Sequence, residues 1–202
     1  MFKIGCAEKV LEVPLFIELY GYAFFARRRN QGTCGDFYCR AFSFNDGENR
    51  AMIIYTDTCT TDDAYAREFR GKIASKFSIH PECIAFVATH THSAPALFRT
   101  RPSLGSGIPD PDFQDQWKQA VMEVAEKAFY NEEEISYAEA GKTKLSRKLG
   151  ENRVEVEKNI TDETIRWVKF VRPDGSCKVL LHSHGVHGIC TNGPRYKIAS
   201  SD

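Results

Sequence analysis

Five of the six histidines of this chain fall in two short segments. The first reads Thr-His-Thr-His-Ser over residues 89–93, and the second reads His-Ser-His-Gly-Val-His over residues 182–187. Neutral imidazole is a common zinc ligand, and zinc needs its nitrogen ligands about 2.0–2.1 Å from one ion. A single His-x-His pair is more often incidental than functional. Two such segments, each at the end of a predicted strand and before a loop, favour a metal site.

The spacing within each segment suggests how the imidazoles converge. Residues two apart in a strand point to the same face, about 6–7 Å apart. His90 can therefore converge with His92, and His182 with His184. Two adjacent parallel strands would bring both pairs to the carboxyl edge of one sheet, where open α/β folds place their sites.

Other metal-dependent families that use His-x-His fit this sequence poorly. The metallo-β-lactamase pattern continues His-x-His-x-Asp-His, whereas residues 93–95 here are Ser-Ala-Pro. A (β/α)8 amidohydrolase carries the pair on its first strand and needs about 250 residues. Here the pair comes well after the first predicted strand. A cupin would lack the helices.

The composition is that of an ordinary globular protein and excludes several classes of function. Of the 202 residues, 42% are hydrophobic and 27% are charged, and 27 basic residues balance 27 acidic ones. Without a basic excess, nucleic acid is not an expected partner. No apolar run reaches the roughly 18 residues of a transmembrane segment, and the start lacks the apolar core of a signal peptide, so we expect a cytoplasmic protein.

Cysteine and arginine usage adds two expectations. Seven cysteines without a CxxC pair argue against a disulfide framework and against a Cys-rich zinc site, so most are expected to be small buried residues. For Cys190, three residues after His187, a passive role is favoured over that of a metal ligand or reactive thiol. The run Arg27-Arg28-Arg29 is expected to be a solvated turn, with contact to an anionic substrate as the less favoured alternative.

The pattern of apolar residues predicts an α/β fold, with a mixed sheet flanked by helices in a three-layer-like arrangement. A helix begins at Asp62 or Asp63 and lies between two strands, which predicts a βαβ unit. The residues after His182 are expected to be loop. Predicted strands are residues 2–7, 15–22, 37–44, 51–55, 83–87, 135–140, 165–171 and 177–182, and the second helix is residues 111–130.

Residues 88–95, Ala-Thr-His-Thr-His-Ser-Ala-Pro, resemble the Thr-His-Thr-His-Ser-Gly-Pro signature of the neutral ceramidases and their ceramidase-like relatives. The resemblance covers nearly the whole chain, because further motifs keep the family's order. These motifs are residues 5–14 and 21–40, Asp57, Asn152-Arg153, residues 159–165, Val186-His187 and residues 200–202.

The resemblance implies a zinc-dependent hydrolase of linear amides, such as an N-acyl lipid. His90 and His187 would hold the zinc, with His184 as the fallback for the second ligand, while His92 and Arg153 would lie at the substrate carbonyl. A zinc-bound water would attack the amide, a histidine would move the proton, and the arginine would stabilise the oxyanion. Asp57 is expected either to orient a ligand histidine or to cap the next segment.

The resemblance also implies that residues 1–202 form a single but partial domain, the N-terminal half of a ceramidase-like catalytic domain. The family's remaining ligands, a Glu and a Tyr, and a Ser implicated in catalysis lie further along the chain. We therefore expect little activity from this chain alone, and exposed apolar surface that favours a homo-oligomer. Two alternatives stay open: a hydrolase of another amide or ester, and a non-catalytic metal-binding or interaction domain.

Overall fold

A computed structural model describes residues 1–22, 28–98, 107–187 and 197–201. Within these ranges the chain forms ten strands, two α-helices and a short 3-10 helix at Pro81–Cys83. In chain order they are β1 (Lys3–Leu11), β2 (Gly32–Cys34), β3 (Phe37–Asn45), β4 (Arg50–Thr56), α1 (Asp63–Phe77), β5 (Ile84–Ala88), α2 (Pro111–Tyr130), β6 (Glu133–Glu134), β7 (Tyr137–Lys144), β8 (Thr164–Val171), β9 (Cys177–Ser183) and β10 (Ile198–Ser200).

The main sheet has five strands in the order β5-β4-β3-β1-β6. β4 and β5 run parallel and are joined through α1, which confirms the predicted strand-helix-strand unit. β3 pairs antiparallel with β1 on one side and with β4 on the other. Its residues alternate strictly between buried and half-buried, as expected of a central strand whose two faces meet different layers.

Both helices pack on one face of this sheet. Met52 and Ile54 of β4 face Phe69 of α1 and Trp117 of α2, and all four side chains are at most 1% exposed. α2 crosses directly over Gly5 of β1, where an added Cβ would lie 1.7 Å from the Ala128 carbonyl oxygen. Only glycine permits this close approach of helix and strand.

A second, antiparallel sheet in the order β7-β8-β9 covers the opposite face. Ile4 and Ile135 pack there against Phe170 and Val179, and the four side chains are at most 9% exposed. The predicted mixed α/β class is confirmed. The three layers are helices, the mixed sheet and a second sheet.

Local capping explains why the helices begin where they do. The Asp62 side chain accepts hydrogen bonds from the N–H groups of Ala64 and Tyr65, at 2.8 and 3.3 Å. Asp110 accepts from Phe113 N–H at 2.9 Å, and α2 then starts at Pro111. An aspartate before the first turn satisfies orphan amide donors, so these sequence signals predict the helix starts well.

Two predicted elements differ in the structure. Residues 15–22 are not a strand: Glu18 and Leu19 make isolated bridges to Arg29 and Pro95, so this segment links two loops. The end of the chain is not entirely loop, because β10 pairs in parallel with β2. Neither pairing has a local sequence signal, since each joins segments far apart in the sequence.

The cysteines and the helices bear on two further expectations. Of the six described cysteines, only Cys39 and Cys59 are buried, so the prediction that most are buried is wrong for this part of the chain.

Within the described residues, neither α1 nor α2 combines the length and apolar character needed to cross a bilayer.

Candidate metal centre

The loop that carries the first two histidines is pinned to the end of β4. β4 and β5 pair in parallel up to Thr56 and Ala88, and the contact continues beyond the strands. Thr89 N–H donates to Thr56 O at 3.1 Å, and His90 N–H donates to Thr58 O at 3.0 Å. The two chain segments therefore stay paired beyond the ends of the strands. The register of the β4–β5 pair thus fixes the position of the histidine loop, residues 89–93.

His90 adopts a left-handed backbone conformation with φ of 64°. A residue with a side chain rarely adopts this region, and the cost is about 1–2 kcal/mol. Such strain persists where surrounding contacts enforce it, often at functional sites. The sequence predicted that His90 and His92 converge because residues two apart in a strand share a face. Because His90 lies in a turn, this prediction of the mechanism is wrong. The Nε2 atoms of the two histidines nevertheless lie 3.3 Å apart.

One ring nitrogen of His90 is committed to a backbone contact. Nδ1 lies 2.7 Å from the Cys59 carbonyl oxygen, and because a carbonyl can only accept, Nδ1 carries the proton. Nε2 then holds the free lone pair and points towards His92. This tautomer suits a metal ligand, since a backbone carbonyl commonly orients such a histidine through its second nitrogen.

Three residues, Gly21, Tyr22 and Arg28, contact His92. The buried Arg28 guanidinium donates to the backbone carbonyls of Tyr20 and His92, and it also lies 4.6 Å from the centroid of the Tyr22 ring. The Tyr22 ring meets the His92 imidazole edge-on, with centroids 5.2 Å apart. Gly21 lies against His92, where an added Cβ would be 2.6 Å from the histidine Cβ.

The expectation of a solvated turn at residues 27–29 is therefore wrong for Arg28, which is 4% exposed. Arg29 is exposed, as expected, and Arg27 lies outside the described residues. A run of three arginines usually indicates a solvated surface, so the pattern gave no sign that one guanidinium is buried beside a histidine.

His187 joins the first two histidines from the other sheet. It follows β9, and its ring centroid lies 5.0 Å from that of His90 and 4.6 Å from that of His92. The structure therefore brings together His90, His92 and His187, three of the predicted site residues. They come from two different sheets, so the expectation of adjacent parallel strands in one sheet is wrong.

The other histidines of the second segment do not take part in these ring contacts. His184 is half-buried, and its carbonyl accepts the Val186 N–H at 3.0 Å. His182 is exposed at the end of β9 and lines a shallow groove of about 610 Å³ on the three-stranded sheet, beside Trp167 and Gly141. Within the described part of the chain, His182 and His184 make no ring contact with each other, so their predicted convergence is not observed.

The pKa values of two of the three imidazoles, His92 and His187, are lowered. Burial, followed by the charges of His187 and His90, lowers the pKa of His92 to about 4. Burial, His90 and Arg153 likewise lower the pKa of His187. Neutral imidazoles with free lone pairs are what a metal ion requires of its nitrogen ligands.

Arg153 is exposed, but it lies close enough for its charge to act on His92 and His187. Its position follows from local hydrogen bonds of its neighbour: the Asn152 side chain accepts from Val154 N–H and Glu155 N–H at 3.0 and 2.9 Å. The turn that Asn152 makes thus presents Arg153 on the histidine side of an irregular segment.

Asp57 is buried at the end of β4, where it joins two strands. Its Oδ2 accepts the Tyr38 backbone N–H at 2.8 Å and lies 3.7 Å from an Arg40 guanidinium nitrogen. Burial raises the pKa of this carboxyl, while Tyr38 and Arg40 oppose that effect. Within the described part of the chain neither partner is a histidine, so these contacts hold the β3 and β4 ends together next to the histidine loop.

Cys59 is a site residue that sequence reasoning missed. It is 4% exposed, and its Sγ and one nitrogen each of His90 and His92 lie within 4.8 Å of one another. Burial raises the pKa of its thiol to about 12. Its position two residues after Asp57 was the only available signal, and Cys190, the cysteine nearest to His187 in sequence, lies outside the described residues.

The C-terminal strand lies beneath the first histidine loop. Thr91 Oγ1 donates to the Ser200 carbonyl at 2.8 Å, and Ser200 N–H donates to the Ser93 carbonyl at 3.2 Å. Thr91 and Ser93 are fully buried by this contact. Asp202 lies outside the described residues.

The donor set fits a zinc ion in two respects. His187 Nδ1 is buried without a hydrogen-bond partner among the described residues, an arrangement that is costly for a polar atom unless something binds it. Nε2 of His90 keeps its lone pair because Nδ1 donates to the Cys59 carbonyl, and the His90 and His187 ring centroids lie 5.0 Å apart, so both can face one ion.

No protein-family model and no curated protein sequence matches this chain. Its structure is similar to that of neutral ceramidase from Pseudomonas aeruginosa, with a TM-score of 0.84 and 17% sequence identity over 100% of this chain. It is also similar to a ceramidase complexed with C2, with a TM-score of 0.81 and 17% identity over 100% of this chain. The chain spans 34% and 33% of those two chains. The resemblance expected from the sequence motifs is thus confirmed at the level of the fold.

Proposed function

We propose that this chain carries part of the active site of a zinc-dependent hydrolase that cleaves linear amides, with an N-acyl lipid as the substrate class. The observation that carries the proposal is the meeting of three imidazoles that follow strands of two separate sheets, with ring centroids 4.6–5.0 Å apart. The fold similarity to two ceramidase structures supports the choice of an amide substrate.

In this proposal His90 and His187 hold the zinc. His90 offers Nε2, because its Nδ1 donates to the Cys59 carbonyl, and His187 offers its buried, unpartnered Nδ1. When bound, zinc polarises a carbonyl and lowers the pKa of a bound water towards about 7.

His92 and Arg153 act on the substrate. His92 is neutral at neutral pH, so its ring can accept a proton near the amide and pass it to the leaving amine. Arg153 keeps its charge and offers several N–H donors to the oxygen on which negative charge develops. The buried Arg28 holds the backbone of His92 in place while the ring moves a proton.

The proposed domain organisation is a partial one, in keeping with the third of the ceramidase chains that this chain spans. Residues 1–202 form the N-terminal half of the catalytic domain, and the remaining ligands come from further along the chain. The cytoplasmic location and the homo-oligomer expected from the sequence stay predictions.

The test measures hydrolysis of short-chain N-acyl amides and ceramides by the 202-residue chain and by a protein extended beyond residue 202, with and without zinc. We expect turnover by the extended protein, its loss after chelation and its recovery with zinc, and little turnover by the 202-residue chain. Robust turnover by the shorter chain would show that its ligand set is already complete. Metal binding with no amide or ester hydrolysis would favour the non-catalytic alternative.

Variants of the extended protein assign the two substrate-facing roles. Arg153→Ala should lower kcat about 100-fold with a small change in KM, because an oxyanion contact strengthens in the transition state. Arg147→Ala, at an exposed arginine of the same irregular segment, is the matched control and should leave kcat unchanged. Equal turnover of the two variants would remove Arg153 from the site.

A further inference from the structure

We propose that Tyr22 is a positioning residue for His92, and that its ring holds the imidazole in the orientation in which Nε2 faces His90. The inference rests on the proposed function in one respect, namely that His92 moves a proton during the reaction. The placement of the ring can be measured without any turnover, so the two proposals can fail separately.

The start of the His92 side chain is fixed by two neighbours. The Arg28 guanidinium donates to the His92 carbonyl, and Gly21 lies so close that an added Cβ would be 2.6 Å from the His92 Cβ. These contacts leave rotation of the ring about its bond to Cβ, a torsion with a broad and roughly two-fold profile. A half-turn exchanges Nε2 with the carbon Cε1, which cannot transfer a proton, so the reaction needs this rotation to be restricted.

Among the described residues, three rings lie against the His92 imidazole. The His90 and His187 rings meet it with centroids 4.9 and 4.6 Å away, and the Tyr22 ring meets it at 5.2 Å. All three contacts are edge-on, an arrangement that aromatic pairs favour over face-to-face stacking. His90 and His187 hold the metal in the proposed function, which leaves Tyr22 as the ring whose position does not depend on the metal.

Arg28 holds the tyrosine ring and the His92 backbone with one side chain. Its guanidinium carbon lies 4.6 Å from the centroid of the Tyr22 ring, within the range of a cation–π contact. Its NH2 group also donates to the backbone carbonyls of Tyr20 and His92. Because Arg28 is 4% exposed, the cation–π contact is largely desolvated and therefore strong. The ring that confines His92 thus keeps a fixed relation to the backbone that carries His92.

A hydrogen bond of the His92 ring reports its orientation. His90 Nε2 holds a lone pair because His90 Nδ1 donates to the Cys59 carbonyl. In the metal-free chain His92 Nε2, 3.3 Å from His90 Nε2, therefore carries the proton and donates it to this lone pair. A ring turned by half a revolution would lose this hydrogen bond, and its tautomer would no longer be fixed.

Nuclear magnetic resonance of the 202-residue chain with isotope-labelled histidine tests the placement at neutral pH. We expect nitrogen shifts of the Nε2–H tautomer for His92 and nuclear Overhauser contacts between its ring protons and those of Tyr22. Tyr22→Phe should keep the tautomer, because the ring makes the contacts with both His92 and Arg28. Tyr22→Leu should give a mixture of tautomers. A mixture in the unaltered chain, or an unchanged tautomer in Tyr22→Leu, overturns the proposal.

Kinetics of the protein extended beyond residue 202 test whether this placement serves the reaction. Tyr22→Leu should lower kcat about 10-fold with little change in KM, because a misplaced proton-transfer group slows the reaction without weakening substrate binding. Tyr22→Phe should stay within about 3-fold of the unaltered protein, since phenylalanine keeps both ring contacts. Added to His92→Ala, Tyr22→Leu should have no further effect on kcat, because Tyr22 acts through His92.

Tyr65→Leu is the matched control. The half-buried Tyr65 ring likewise lies below a cation, Lys118, and edge-on to an aromatic ring, that of Trp117, but its described ring contacts include no histidine. This variant should leave kcat unchanged, so a loss of rate in Tyr22→Leu alone reports on the histidine and not on the general loss of an aromatic contact.

The outcomes separate the two proposals. Absence of hydrolysis by the unaltered extended protein overturns the proposed function, while the tautomer of His92 still decides its placement by Tyr22. A normal kcat in Tyr22→Leu, or an equal loss of kcat when this change is added to His92→Ala, overturns the positioning role while the proposed function stands.

Discussion

The two histidine segments meet at one point but are held in very different ways. In the first segment, His90 is fixed through its backbone N–H and its Nδ1, and the His92 carbonyl is fixed by Arg28. In the second segment, His182 and Ser183 pair with β8 as part of β9. Past that strand, the Val186 N–H donates to the His184 carbonyl, and His187 Nδ1 has no partner among the described residues. One half of the site is preorganised, whereas the other half is placed mainly by β9.

This difference indicates which segment must lose conformational entropy when a metal ion binds. A preorganised ligand loses little conformational entropy when a metal binds, whereas a loosely held one must be ordered at that moment. We therefore expect the first segment to set the position of the metal site and the second segment to become ordered when the metal binds. Variants of the residues that support the first segment should therefore lose folding stability, whereas variants of the second segment should lose metal affinity.

The largest effect is expected within the second segment. His187→Ala should weaken zinc binding by more than about 100-fold, because loss of a direct ligand exceeds the 10–100-fold cost of losing an outer partner. His184→Ala, three residues earlier, should change the affinity by less than about 3-fold, because His184 lies outside the ring contacts. Competition with a zinc-binding dye measures both, and the reverse order would make His184 the ligand.

The next effect is on the packing against His92. Gly21→Ala should lower the free energy of unfolding by about 3 kcal/mol, since φ is +114° and the new Cβ would lie 2.6 Å from the His92 Cβ. Gly175→Ala is the matched control: φ is +84°, but nothing lies within 4 Å of its Cβ, so it should cost only about 1 kcal/mol. Urea unfolding measures the free energy of unfolding of both variants. Equal losses in the two variants would show that the close approach to His92 does not matter for stability.

Arg28→Met should cost about 2 kcal/mol of folding stability, because it leaves the buried carbonyls of Tyr20 and His92 without their charged donor. Arg29→Met is the control at the next position. Arg29 is exposed and lies 3.9 Å from Glu18, so its loss should cost about 0.5 kcal/mol or less. Thermal unfolding measures the loss of stability in both variants. Similar losses would mean that the buried hydrogen bonds of Arg28 contribute no more to folding stability than the exposed Arg29.

The smallest effect is a dependence on pH in the metal-free chain. The pKa of His92 is about 4 in the folded chain and near 6.5 in the unfolded chain, so below pH 6.5 the unfolded state binds more protons. Stability should therefore fall as pH drops from about 6.5 to about 4 and level off below that.

For His92 we expect a change on the order of 1 kcal/mol after solvent screening. Unfolding at a series of pH values should show a flatter profile for His92→Gln than for a control, His80→Gln, at an exposed histidine on another surface. Identical profiles would contradict the assignment of the pH dependence to His92.

The sequence predicted elements well where the signal is local. α2 occupies residues 111–130 as expected, because a capping aspartate, a proline at the first position and an apolar stripe all agree. The β3–β4 hairpin follows from alternation on both sides of an Asp-Gly turn. The meeting of the two histidine segments was also predicted, because histidine is a common metal ligand and both segments contain the His-x-His spacing.

What the sequence did not reveal depends on long-range pairing. The two histidine segments follow strands of different sheets, and no local pattern tells a strand which sheet it joins. Arg28 is buried because two backbone carbonyls converge on it, and neither is adjacent in sequence. Cys59 lies at the site because β4 and β5 pair in parallel, and its own residue type gave no signal beyond that of six other cysteines.

The hydrogen bond from Thr91 to the Ser200 carbonyl spans 109 positions of the chain. Contacts of such long sequence separation form slowly, and during synthesis this one must wait until residue 200 has left the ribosome. The helices and the βαβ unit are local enough to fold earlier. The histidine loop is thus expected to acquire its final support as one of the last events of folding, and a nascent chain should show protected helices before its metal-binding loop is closed.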